Sequence, residues 1–146
     1  MAREWSKMQA EDGRQAREEH MDSELERLQG TWSIIFLEVE GMTPAPSAYA
    51  GASIAVEGNR FTTRAMGAVY GGTIELNAEK VPNEFRMKFT EGPEKGNTNN
   101  GIYELEGDRW RICLNMRGGP APTEFATSPG SGHALETLNR DKAHEI

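Results

Sequence analysis

The sequence predicts an all-β fold, an antiparallel up-and-down barrel of about eight strands preceded by a charged helical segment. Three observations predict it. Residues 1–29 are rich in Glu, Arg, Gln, Ala and Met and lack proline, which is helical composition. From Thr31 onward, short apolar runs are broken by Gly, Pro or Asn every eight to twelve residues or so, as in a β-meander. No segment of helical period follows that could cover the edges of an open sheet, so closing the sheet on itself is the economical solution.

The elements follow in chain order. Ser23 with Glu26 three positions on is a capping-box pattern, Leu25 and Leu28 share a face, and Gly30 supplies a stop, which together predict a short helix from Ser23 to Gln29. The piece before it holds Trp5 and Met8 among charges and reads as a frayed arm or a helix that docks on a neighbour. Strands are predicted over about 31–39, 51–57, 60–66, 70–77, 84–90, 100–106, 109–115 and 134–140, with a short extended piece near 123–126. The organisation is thus a helical arm over 1–29, a barrel over 30–142 and a tail over 143–146.

Two turns set the register. Glu57-Gly58-Asn59-Arg60 and Glu106-Gly107-Asp108-Arg109 each place Gly with Asn or Asp between an acid and an arginine, the composition of a two-residue hairpin loop. Counting outward from the second turn pairs Leu105 with Trp110, Glu104 with Arg111 and Tyr103 with Ile112. One face of that hairpin is then apolar and the other charged. Phe85, Met87 and Phe89 alternate with Arg86, Lys88 and Thr90 in the same manner. The glycine-rich stretches Gly71-Gly72, Gly92 to Gly101 and Gly118-Gly119 read as turns, not as phosphate-cradling loops, because no helix opens behind them. The connections from Thr90 to Asn100 and from Asn115 to Pro122 are natural lids.

Bulk properties narrow the partners. The formal charge of −7 over 146 residues, with the acidic excess in residues 11–40, argues against nucleic acid as a partner. Neutral or cationic small molecules, or a protein partner, are easier to accommodate. Cys113 is the only cysteine, so neither an internal disulfide nor a cysteine-based zinc site is expected, in keeping with a reducing compartment. The start of the chain lacks the apolar core of a signal peptide, and no run approaches the roughly 20 apolar residues of a membrane span. The expected location is the cytoplasm, without a membrane partner.

Leu28-Gln29-Gly30-Thr31-Trp32 contains the Gly-x-Trp pattern with which lipocalin-type barrels enter their first strand. Further pieces are Gly101-Ile102-Tyr103-Glu104-Leu105-Glu106-Gly107-Asp108, Arg111-Ile112-Cys113-Leu114, Pro122-Thr123-Glu124-Phe125 and a closing Arg140. Together they resemble a bacterial lipocalin-like domain family of uncharacterised function, first described from planctomycete proteins, and span nearly everything after residue 28. The resemblance implies a lipocalin-like barrel in which Arg140 covers the indole of Trp32, and it names no reaction. Where the family carries an arginine before Pro-Thr-Glu-Phe this chain has Ala121, so that arginine's role does not transfer.

Candidate chemistry is thin. His20, His133 and His144 are scattered and call for no metal, and no motif calls for a cofactor. His133 follows a Gly-Ser-Gly loop where a proton shuttle could sit. The hairpin count puts Cys113 on the face opposite Trp110 and Ile112, beside Arg111; a buried structural thiol is favoured over a nucleophile, since no base accompanies it. The catalytic candidates are Glu124, as a general base near a barrel mouth, with His133 and Arg111. Trp32, Phe36, Phe61, Tyr70, Met87, Tyr103, Trp110, Ile112 and Phe125 either line a ligand cavity or fill a solid core, and all of them except Phe61 are carried forward as ligand-binding candidates. Three functions follow: a module binding a small, largely apolar molecule; a small-metabolite enzyme of isomerase, cyclase or lyase type using the same cavity; or a non-catalytic interaction domain with a solid barrel, whose N-terminal arm forms a homodimer or grips a partner.

Overall fold

A computed structural model describes residues 23–65 and 67–141. Eight antiparallel strands run in sequence order around a closed barrel: β1 (Gly30–Val39), β2 (Ser53–Glu57), β3 (Arg60–Ala65), β4 (Ala68–Asn77), β5 (Asn83–Glu91), β6 (Thr98–Glu106), β7 (Arg109–Asn115) and β8 (His133–Arg140), with β8 closing onto β1. Both expected hairpins form with the expected pairing, Glu57 opposite Arg60 and Glu106 opposite Arg109. In each turn the glycine alone takes positive φ, +61° at Gly58 and +58° at Gly107, which is the requirement that selects glycine there. Leu105–Trp110, Glu104–Arg111 and Tyr103–Ile112 are neighbours as counted.

One end of the barrel is sealed. A helical turn over 23–27 lies across it, and Leu28 drops fully buried into the core beside Trp32. The rest of the arm, with Trp5, Met8 and His20, and the end of the chain, with His144, lie outside the described residues. The guanidinium of Arg140 sits 4.3 Å from the Trp32 ring centroid, donates to the carbonyls of Arg27 (2.6 Å) and Gln29, and pairs with Asp108 at 2.8 Å. These contacts combine a cation over an indole face with donors for the carbonyls that the helical turn leaves unpaired. Gly30 follows from the same packing: its φ is +122°, and a β-carbon there would stand 3.3 Å from Arg140 Nη1. Trp32 Nε1 donates to the Leu28 carbonyl at 2.8 Å, and the Tyr103 hydroxyl donates to Glu24 at 3.1 Å. Burial, then the adjacent Glu24 carboxylate, push the Tyr103 hydroxyl well above the usual phenol range.

Three expectations need correction. The Gly71-Gly72 pair is not a turn but lies inside β4, at a register shift against β5. A β-carbon on Gly72 would come within 1.8 Å of the Lys88 carbonyl oxygen, so the close approach of β5 demands glycine. Gly101 likewise sits within β6. No strand forms near 123–126, where the chain bends, with the Ala126 N–H donating to the Glu124 carbonyl at 2.9 Å. No helix among the described residues is long and apolar enough to cross a membrane.

Candidate functional site

The barrel interior divides into a filled half and a hollow half. Around the sealed end, Trp32 meets Trp110 edge-on at 5.5 Å, and Phe85 meets Tyr103 at 5.9 Å and Trp110 at 6.4 Å. Trp32, Tyr103, Trp110 and Ile112, four of the expected ligand-binding residues, are essentially without solvent contact in this half and form packed core. The opposite end holds a cavity of about 270 Å³. Its wall comes from Ile34, Leu37 and Val39 of β1, Tyr49 and Ala52 of the β1–β2 connection, Tyr70 of β4, Met87 and Phe89 of β5, Leu114 of β7 with Met116 after it, and Ala134 and Glu136 of β8. Tyr70 and Met87 are the two expected ligand-binding residues that the fold brings to it.

Phe36 and Phe125 do not reach the cavity. In β1 the pairing with β8 shifts between Ile34 and Phe36, so Ile35 is an extra residue and the alternation changes phase. Trp32 and Ile34 therefore face in, but after the bulge Leu37 and Val39 face in and Phe36 is exposed. Phe125 lies on the outer surface, in the long β7–β8 connection, where the Arg111 guanidinium stacks 4.3 Å from its ring centroid. That connection was expected in part to be a lid. Instead it passes over the outside of the barrel, its Ala126 carbonyl accepting from the Cys113 thiol at 3.6 Å, its Gly119 carbonyl from Asn100 at 2.9 Å, and its Thr127 hydroxyl from the Gly41 N–H at 2.8 Å. Cys113 is buried beneath it, and burial pushes its thiol above the ordinary value, which disfavours the thiolate.

The three residues expected to act in catalysis are also outside the cavity. Arg111 pairs with Glu104 across strands at 3.4 Å and Glu124 is exposed on the outer connection. His133 precedes Ala134, whose side chain faces in, so the alternation turns its own side chain outward. Sequence reasoning placed no charge inside the barrel, and this is where the structure differs most. Glu136 is paired with Leu37 on one side and Ile112 on the other, both facing in, and its carboxyl enters the cavity. Among the described residues it has no hydrogen-bond or ion-pair partner. Burial alone pushes it up from 4.5 to about 7, the desolvation effect on a carboxylate without a cation. The signal was present in the sequence as the alternation Ala134, Glu136, Leu138, but Leu135 and Leu138 point to opposite phases of the strand.

Among the described residues no cluster of His, Cys, Asp and Glu could hold a metal ion. No protein-family model, curated protein or solved structure matches the chain.

Proposed function

We propose that the protein is a lipocalin-like barrel, related to the bacterial family its motifs resemble, that binds a small and largely apolar molecule in the open half of its interior. One observation carries the reading: a cavity of about 270 Å³, lined mostly by apolar side chains, stands beside a filled core. A packed interior ordinarily leaves few voids larger than a water molecule, whereas small-molecule pockets begin at roughly 300 Å³. An apolar cavity of about 150 Å³ holds benzene, so this one suits a molecule of about two fused rings.

The cavity favours binding over the solid-barrel interaction domain, and the enzyme reading is left without the residues it named, since Glu124, His133 and Arg111 lie outside. The lone buried thiol agrees with a cytoplasmic setting. Native mass spectrometry of the protein purified gently from its own host tests the reading. A reproducible extra mass that disappears on denaturation is expected; a protein of bare polypeptide mass that also binds no small aromatic probe overturns it.

A further inference from the structure

Glu136, the carboxyl that strand register on both sides holds in a largely apolar cavity, should match something in the occupant. Resting on the binding reading above, we propose that the occupant carries a protonated amine, and that Glu136 holds this amine while the apolar wall holds the rest of the molecule.

Four observations support the assignment. The register on both flanks fixes Glu136 inside, so its direction is a property of the barrel and not of a mobile side chain. No Lys, Arg or His is among the described residues of the wall, and the other titratable groups there are Tyr49 from the β1–β2 connection, Tyr70 from β4 and Glu94 from the β5–β6 turn. Those facing Glu136 directly from its two neighbouring strands, Leu37 and Ile112, are apolar. The protein thus supplies an anion in a desolvated place and no described cation to neutralise it, an arrangement that a cationic ligand would complete. Tyr49, Tyr70 and Phe89 add aromatic surface, which favours a cation over a neutral or anionic group. Exposed Glu94 near the mouth and a net charge of −7 bias approach in the same direction.

A pH dependence follows with a definite sign. The empty site releases its proton at about 7. A bound ammonium favours the ionised carboxylate, so binding expels that proton wherever the free site still holds it. Affinity for the amine should therefore be constant above neutrality and weaken about tenfold per pH unit below about 7. A carboxylic acid ligand would show the opposite trend.

Calorimetric titration of the full chain with three probes of one shape tests this: 2-naphthylmethylamine, 2-naphthylmethanol and 2-naphthoate. At pH 8 the amine should bind at least tenfold more tightly than the alcohol, and the carboxylate most weakly. Glu136→Gln should remove the amine's advantage and leave the alcohol's affinity within about twofold, which also shows that the variant is folded and the cavity intact. Equal affinity for amine and alcohol in the unaltered protein, or an amine preference that survives Glu136→Gln, overturns the amine assignment while the container stands. Failure of all three probes to bind overturns both.

Discussion

Replacing Glu136 by Gln should change how stability depends on pH, and the size follows from its surroundings. In the folded barrel the carboxyl titrates at about 7, against 4.5 for an ordinary glutamate. Between those values the native protein keeps a proton that the unfolded chain releases, so stability falls as pH rises through this window and levels off above it. At about 1.4 kcal/mol per pH unit, the difference amounts to about 3 kcal/mol, an upper bound because Glu136 keeps partial solvent exposure. Gln keeps the shape and does not titrate. Urea unfolding of both proteins at pH 4.5 and pH 8 isolates the effect, since every other group is common to the pair. Relative to the unaltered protein, the variant should gain on the order of 2–3 kcal/mol between the two pH values. A gap between the two proteins that stays constant within about 0.5 kcal/mol would refute the claim that this carboxyl is desolvated inside the barrel.

Two further substitutions probe the frame around the cavity. Arg140→Ala removes the cation over Trp32 and three charge-assisted hydrogen bonds, and should cost about 2 kcal/mol or more in chemical denaturation; Arg140→Lys should recover only part, because an ammonium cannot reach both carbonyls and Asp108 as a planar fork does. The bulge in β1 predicts that Phe36→Glu, on the outside, changes stability by less than about 1 kcal/mol, whereas Leu37→Glu, facing the cavity opposite Glu136, costs about 2–3 kcal/mol at pH 8; equal costs would place the phase change elsewhere.

The parts of this fold that the sequence makes legible are those governed by short-range chemistry. The two Gly-Asn and Gly-Asp turns announce their own register, because glycine is needed for positive φ and antiparallel pairing then counts outward without ambiguity. Gly30, Trp32 and Arg140 are legible for a related reason: the indole, its covering guanidinium and the small residue between them form one packing unit.

The cavity is less legible because it depends on phase and volume. A single extra residue at Ile35 exchanges the faces of the second half of β1, sending Phe36 out and Leu37 in, and nothing in the composition of Ser-Ile-Ile-Phe-Leu marks the place. Similarly, Leu135 and Leu138 cannot both face inward on one strand, and only the pairing of β8 with β1 and β7 decides for Leu138 and therefore for Glu136. Whether the barrel is hollow turns on where the large side chains gather. Trp32, Trp110, Tyr103 and Phe85 crowd the sealed end, which leaves Leu, Val and Ala to line much of the other. Glu124 and Phe125 are expected at the mouth and in the cavity but lie outside, because a long connection without strands can cross either a mouth or an outer wall, and here the Cys113, Asn100 and Gly41 contacts hold it outside.

The central claim, that the open half of the barrel receives a small molecule, is tested most directly by methyl NMR of protein carrying labelled methionines. Met87 and Met116 line the cavity, whereas Met42 is exposed on the β1–β2 connection. Addition of 2-naphthylmethanol should shift the Met87 and Met116 methyl signals, with large ring-current displacements, and leave that of Met42 unmoved. Unmoved Met87 and Met116 signals at millimolar probe, or a shift confined to Met42, would contradict the account.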